Sequence, residues 1–246
     1  MRTFCVDCGG SGIKGSVVDP SGQMLAERLR IKTPYPLPPE RFIEVLSDIA
    51  SQMPGFDRMT VGMPGMIRRG VVIYTPHYPN RRGPYTEKDP ALDAAWRNWD
   101  VTAALEETFD VPVRVLNDAE VQGAAVIKRV GLEVMFTLGT GLGCGIFDDG
   151  ALAPHLEISH APVRKGKTYD TWMGDKERKR LGHKRWSKRV LATVDGLRPV
   201  FRWDHLYVGG GNSGKLTEPL GPDVTIVRNV AGILGGVKVW DLDMAR

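Results

Sequence analysis

A chain of 246 residues, 42% hydrophobic and 25% charged, can bury one large core or two lobes and has the composition of a globular protein. It has no apolar run of the roughly 20 residues a membrane helix needs, and Met1-Arg2-Thr3 leads straight into an apolar strand with no signal peptide, so the cytoplasm is the expected compartment. Three cysteines, Cys5, Cys8 and Cys144, supply no disulfide framework, and the net charge of +4 is concentrated between Arg164 and Arg189, a patch suited to a polyanion.

In chain order, the apolar run Thr3 to Val6 and the β-prone run Ile13 to Val18 flank Asp7-Cys8-Gly9-Gly10-Ser11-Gly12, which reads as strand, glycine turn, strand. Three glycines in four positions let backbone N–H groups approach an anion, with Ser11 adding a hydroxyl and Lys14 a cation. Asp7, at the strand's carboxyl end, is placed to hold Mg²⁺ or its water shell. Taken alone, the stretch suits an ordinary glycine hairpin equally well. The CxxC spacing of Cys5 and Cys8 fits a core strand and a turn better than zinc or redox chemistry.

Met24 to Ile31 reads as a third strand and Thr33 to Pro39 as a proline-stiffened connector. Apolar residues at Phe42, Ile43, Leu46, Ile49 and Ala50 then give Glu40 to Gln52 a helical period. Met59 to Met63 is a strand ending in Pro64-Gly65, and Gly70 to Pro76 is another. Arg81 to Asp93 is a polar loop, long enough to be a lid or an interface piece. Ala94 to Phe109 is helical in its second half, with Trp96 and Trp99 as packing residues rather than sugar platforms.

Val111 to Leu116 is a strand followed by Asn117-Asp118-Ala119 and a helix, Glu120 to Val130. Alone, Asp118 is better read as a carboxylate of the helix N-cap region. Val134 to Leu138 leads into Gly139-Thr140-Gly141-Leu142-Gly143-Cys144-Gly145 and the return strand Ile146-Phe147, a second unit of the first kind. A hairpin explains one such loop; two of them suggest halves that grip one phosphate chain. Lys176 to Val194 is a basic helix with Trp186, Val190 and Val194 on its apolar side, either a solvated face or a track for polyphosphate. Leu206 to Val208 runs into Gly209-Gly210-Gly211-Asn212-Ser213, Val224 to Val227 is a last strand, and Asn229 to Val237 a closing helix.

Both glycine loops, Asn117-Asp118-Ala119 between them and Gly209 to Ser213 after them occur in the order that marks the ROK sugar kinases of the actin, hexokinase and Hsp70 superfamily. The chain resembles that family from about residue 4 to about residue 237, and within it is most similar to bacterial polyphosphate glucokinases. Gly9 to Gly15, Arg28-Leu29-Arg30 before Thr33-Pro34, Thr137 to Gly141 and Asn229 to Ile233 also carry the similarity.

The resemblance implies an α/β protein of two ribonuclease H-like lobes with a central cleft: 1–116 with the first phosphate loop and the sugar-side turn, and 117–246 with the second loop. The C-terminal helix is a candidate to return to the first lobe. It implies Asp118 as general base on a sugar hydroxyl, with Asn117, Glu157, His160, Asn80 and Gly65 around the sugar. Asp7, Gly9, Gly10, Ser11, Gly12, Lys14, Gly139, Thr140, Gly141, Gly209, Gly210, Gly211 and Asn212 would meet the donor, polyphosphate or ATP, with Mg²⁺ near Asp7.

Departures from the pattern bear on the acceptor. Ser159 stands where the Glu-x-Gly-His motif has glycine, and Pro162 where polyphosphate glucokinases have a second glutamate. An ATP-preferring kinase for mannose, an amino sugar or a cyclitol is the alternative. The cysteine-rich zinc motif of many members is missing, so no structural zinc is expected. A sugar-responsive repressor is disfavoured, since the first loop begins at once and leaves no room for a DNA-binding helix-turn-helix. The expected assembly is a homodimer, without nucleic acid or membrane partners.

Overall fold

The structure, a computed structural model, describes residues 1–84, 86–227 and 231–244. It divides into two compact units, Met1–Ala125 with Gly232–Asp241, and Val126–Ala231 with Leu242–Arg246. The boundary expected after residue 116 thus falls after 125, because the helix that follows Asn117 packs on the first unit's sheet.

In the first unit β1 (Thr3–Cys8), β2 (Ile13–Val18) and β3 (Leu29–Ile31) form an antiparallel meander. Then come α1 (Pro39–Ala50), β4 (Arg58–Met63), the hairpin β5 (Met66–Arg68) and β6 (Val71–Tyr74), α2 (Pro90–Trp96), α3 (Val101–Phe109), β7 (Val113–Asn117) and α4 (Asp118–Ala124). The sheet order is β3-β2-β1-β4-β7, with β1, β4 and β7 parallel.

In the second unit β8 (Leu132–Leu138), β9 (Leu142–Asp148) and β10 (Ala151–Leu152) form the meander. A small hairpin, β11 (Pro162–Arg164) and β12 (Lys167–Thr168), precedes α5 (Tyr169–Met173), α6 (Asp175–Leu181), α7 (His183–Phe201), β13 (His205–Gly209) and β14 (Val224–Ile226). α8 (Ala231–Lys238) leads back to the first unit, and β15 (Asp243–Met244) closes the second sheet, ordered β14-β13-β8-β9-β10-β15. Strand for strand, β8, β9, β10, β13 and β14 repeat the connectivity and directions of β1, β2, β3, β4 and β7. Each unit thus carries its glycine turn between the first two strands of the same ribonuclease H-like sheet.

Strand alternation explains the layering of the first unit. Phe4, Val6, Met59, Val61, Val113 and Val115 turn to one face, where Phe42, Leu46 and Ile49 of α1 and Leu105 of α3 complete a dry core. The other face presents Cys5, Arg58, Thr60 and Arg114. There the Thr60 hydroxyl donates to the Gly236 carbonyl of α8 (2.7 Å), and the Arg58 and Arg114 guanidiniums lie 4.8 and 4.6 Å from the Trp240 ring centre. In the second unit Trp186, Val190, Val194 and Leu197 of α7 cover Phe136, Leu138, Leu206 and Val208.

Several expected elements are redrawn. Between Val18 and Leu29 only Met24 makes a bridge, because the Ser16 hydroxyl takes the Ala26 carbonyl (2.8 Å), so the third strand starts at Leu29. α4 stops at Ala124, not Val130, since buried Glu133 draws the Lys128, Arg129 and Val130 amides out of helix. Asp89 caps an unexpected helix at Pro90. The basic helix is broken at Gly182, whose φ of +75° ends α6. Asn229 and Val230 of the expected closing helix lie outside the described residues.

Candidate active site

Ligands of open α/β sheets gather at the carboxyl ends of parallel strands. In the first unit those ends are Asp7-Cys8 of β1, Met63 of β4 and Asn117 of β7, and each leads directly into residues singled out from the sequence. The first loop closes on a Gly9 N–H to Gly12 carbonyl bond (3.0 Å). Its outward carbonyls are held by side chains of the proline-rich connector: Thr33 donates to Gly9 (2.7 Å) and the Tyr35 hydroxyl to Gly10 (2.8 Å). Side chains also press on the bare glycines, since a Cβ on Gly10 would stand 2.8 Å from His77 Cδ2 and 2.9 Å from Pro84 Cγ, and one on Gly12 2.7 Å from Arg30 Nε. Ser11 is exposed, and Lys14 Nζ lies 2.9 Å from Asp7 Oδ2.

Asn117 and Asp118 open α4 through a capping box. The Asn117 side-chain oxygen accepts from Ala119 N–H (2.8 Å), and the Glu120 carboxylate accepts from the Asn117 N–H (2.9 Å). The Asn117 amide also donates to the Gly65 carbonyl (2.8 Å), tying the β7 end to the Pro64-Gly65 turn. Gly65 has φ +110°, and a side chain there would collide with the Tyr74 carbonyl, so this turn requires glycine. Asp118 is half-buried and accepts from Ala119 N–H (2.9 Å).

Asn80 does not join this group. It is buried, its amide reaches back to the Pro76 carbonyl (3.5 Å), and it pairs with Lys88 in the loop that follows. His77, not noticed in the sequence, is the residue of that segment that lies against the first loop, and burial lowers its pKa. Beside it the Tyr78 hydroxyl is buried without a partner among the described residues. Burial pushes that phenol well up, and the nearby charges of Cys8, Tyr35, Asp7 and Asp118 add to the effect.

The second unit repeats the arrangement at the ends of β8 and β13. Gly139 N–H bonds the Gly141 carbonyl (3.0 Å), and Thr140 is exposed at the tip. The Asn212 amide donates to the Gly139 carbonyl and to Asp175 (both 3.1 Å), so the Gly209-Gly210-Gly211 turn and the second loop form one surface. Gly210 rests directly on Leu138, while Gly211 is open.

Glu157 and His160 flank a short 3₁₀ turn, and His160 is exposed. Ser159, in the glycine position, donates to the Glu157 carboxylate (2.5 Å), and His155 lies 3.7 Å from it. Burial raises the Glu157 pKa, but the nearby imidazoles of His155 and His160 and the Ser159 hydrogen bond outweigh it and leave the group below its ordinary value.

Asp170 was not legible. Its carboxylate takes the Leu142 N–H (2.9 Å) and fills the space where a Gly141 side chain would stand, and burial raises its pKa. The one signal for its placement was Thr168, which caps α5. Among the described residues no three His, Cys, Asp or Glu side chains gather to hold a metal, and no helix is long and apolar enough to cross a membrane.

Comparison with known proteins agrees with this fold. The model of the ROK family matches residues 3–154. The polyphosphate glucokinase of Mycobacterium tuberculosis is 26% identical over 94% of this chain and 88% of its own. Among solved structures, the inorganic polyphosphate/ATP-glucomannokinase of Arthrobacter sp. strain KM is 28% identical and superposes with a TM-score of 0.78 over 97% of both chains. A ROK family glucokinase from Streptomyces griseus, in complex with glucose and AMPPNP, shares the fold at 19% identity, with a TM-score of 0.73 over 98% of both chains.

Proposed function

The chain belongs to the ROK family, and from that premise we propose that it transfers the terminal phosphoryl group of polyphosphate or ATP to the 6-hydroxyl of glucose or a related hexose. It is a sugar kinase, a phosphotransferase with an alcohol acceptor. The observation that carries the finer reading is the meeting, at one sheet edge, of the first glycine loop, the Pro64-Gly65 turn and Asp118 on the first turn of α4.

Phosphoryl transfer asks a protein for position and charge more than for covalent chemistry. In this reading the N–H groups of Gly10 to Gly12, and of Thr140 and Gly141, meet the donor's oxygens, while those of Gly9 and Gly139 close their own turns. The Gly209 to Asn212 turn supports a nucleotide when ATP is the donor. Asp118 takes the proton of the attacking hydroxyl, and Asn117, Gly65, Glu157 and His160 orient the sugar.

Mg²⁺ bound by one carboxylate and the donor's own phosphates needs no protein cage. Asp7 suits that role, since only its Oδ2 is taken by Lys14. The ion would neutralise charge building on the transferred group.

The donor reading follows from charge. Residues 164–189 hold eleven Lys and Arg against three Asp and Glu. Lys167, Arg178, Lys179, Arg180 and Arg189 are paired with Asp175 or Glu177, whereas Lys165, Lys176, Lys184, Arg185 and Lys188 have no carboxylate partner among the described residues. Spaced, unpaired cations match a repeating polyanion better than a nucleotide.

The test is a panel of glucose, mannose, glucosamine and inositol crossed with ATP and polyphosphate, in which glucose with polyphosphate should turn over and the polyphosphate KM should rise steeply with salt. Turnover of none of the hexoses with either donor would refute the proposal. The working assembly is proposed to be a homodimer, checked by sedimentation.

A further inference from the structure

The first loop has two cations within reach, and they are not equivalent. Lys14 and Arg30 face each other across the β2–β3 pair. Lys14 is committed to Asp7 at 2.9 Å, so part of its charge is cancelled where an anion would need it. Arg30 has no carboxylate partner among the described residues and is exposed. Its guanidinium nevertheless lies against the bare backbone of Gly12, where a Cβ would stand 2.7 Å from Nε, 3.1 Å from Nη2 and 3.2 Å from Cζ. Gly12 is thus bare on the side where the planar cation lies. An arginine in that position keeps its charge at any working pH and offers a fork of N–H donors that matches two oxygens of a phosphate.

We infer that Arg30, rather than Lys14, is the side chain that receives the phosphoryl donor at the first loop, gripping non-bridging oxygens of an oligophosphate beside Gly12. The inference rests on the donor role proposed above for that loop. Lys14 instead keeps Asp7 in place at the strand end. Because the contact is to phosphate oxygens, Arg30 serves ATP and polyphosphate alike and takes no part in choosing the sugar.

The experiment pairs steady-state kinetics with calorimetric titration of inorganic tripolyphosphate in the absence of sugar, on wild type and on Arg30→Gln, Arg30→Lys and Arg28→Gln. Arg30→Gln should raise the tripolyphosphate Kd and the donor KM by roughly tenfold to a hundredfold, the size of a lost charge-assisted hydrogen bond, and leave the hexose KM unchanged. Arg30→Lys should recover part of the loss, since charge is restored without the fork. Arg28→Gln removes an equal charge two residues away and should change neither constant.

Unchanged donor constants in Arg30→Gln would overturn the inference while the kinase reading stands. Equal losses in Arg30→Gln and Arg28→Gln would also overturn it, because the effect would then be a general field and not a contact. Wild-type protein that binds neither tripolyphosphate nor ATP would remove the donor role of the loop, and the inference with it.

Discussion

Asn117 offers a measurement that separates scaffold from sugar ligand. Its side chain makes two bonds: the oxygen caps α4 through Ala119 N–H, and the amide satisfies the carbonyl of buried Gly65. Alanine removes both. Loss of an Asn cap costs about 1 kcal/mol, and a buried carbonyl left without a donor about 1–3 kcal/mol, so Asn117→Ala should destabilise by about 2–4 kcal/mol. Serine keeps a capping oxygen and loses only the reach to Gly65, so Asn117→Ser should recover about 1 kcal/mol of that. Urea unfolding followed by tryptophan fluorescence reports the difference directly, because Trp96 lies in the core of the same unit. One amide hydrogen remains for a sugar, so the hexose KM of the serine variant should rise by roughly twofold to tenfold, one neutral hydrogen bond. A near-native unfolding midpoint for Asn117→Ala combined with a hundredfold rise in hexose KM would refute this reasoning and make the amide a ligand first.

Asp118→Asn should lower kcat by roughly a hundredfold to ten-thousandfold with little change in hexose KM, and retention of most activity would remove Asp118 as base. Asp170→Asn should lower the donor KM, because it removes a negative charge from the second loop; a raised KM would mean that the carboxylate acts through a cation. Glu157 has a folded pKa below its ordinary 4.5, so its ionised form contributes stability that is complete above that value and lost as pH falls through the lower folded one. The stability difference between wild type and Glu157→Gln should therefore hold from neutral pH to about 4.5 and shrink only below it, as unfolding at stepped pH would show.

What could be read in advance was whatever is encoded locally. The first glycine turn and the period of Phe42, Leu46 and Ile49 depend on neighbours in sequence and stand where they are expected, whereas the second turn is shorter than its glycines suggest, with Leu142 to Gly145 already in β9, and β7 is shifted to Val113–Asn117. The helix at Pro90 is also written locally, by Asp89 as cap and proline at the first position, within a stretch whose polarity otherwise suits a loop. Other features depended on tertiary partners. The end of α4 is set by Glu133, and no count along the chain reveals that its carboxylate collects three amides. In the segment from His77 to Asn80 the resemblance points to Asn80 as the sugar-side residue. Packing instead draws Asn80 inward to Pro76 and lays His77 on Gly10. Asp170 comes from a helix far along the chain, beyond the reach of a motif.

The repeated sheets place alike turns in unlike fields. The first loop is rimmed by cations, one paired and one not, in Lys14 and Arg30. The second is rimmed by carboxylates, Asp170 against Gly141 and Asp175 beneath Asn212. Asp175 is held down to about 2 by hydrogen bonds from Lys179 and Arg178 despite the opposing effect of burial, whereas Asp170, with one backbone amide, is raised by burial. One acid of the pair is therefore neutralised by its neighbours, and the other is shifted toward its uncharged form. The first turn thus carries positive charge beside its backbone, and the second an acid. Hairpins of one topology carry different charge because different side chains lie against their turns.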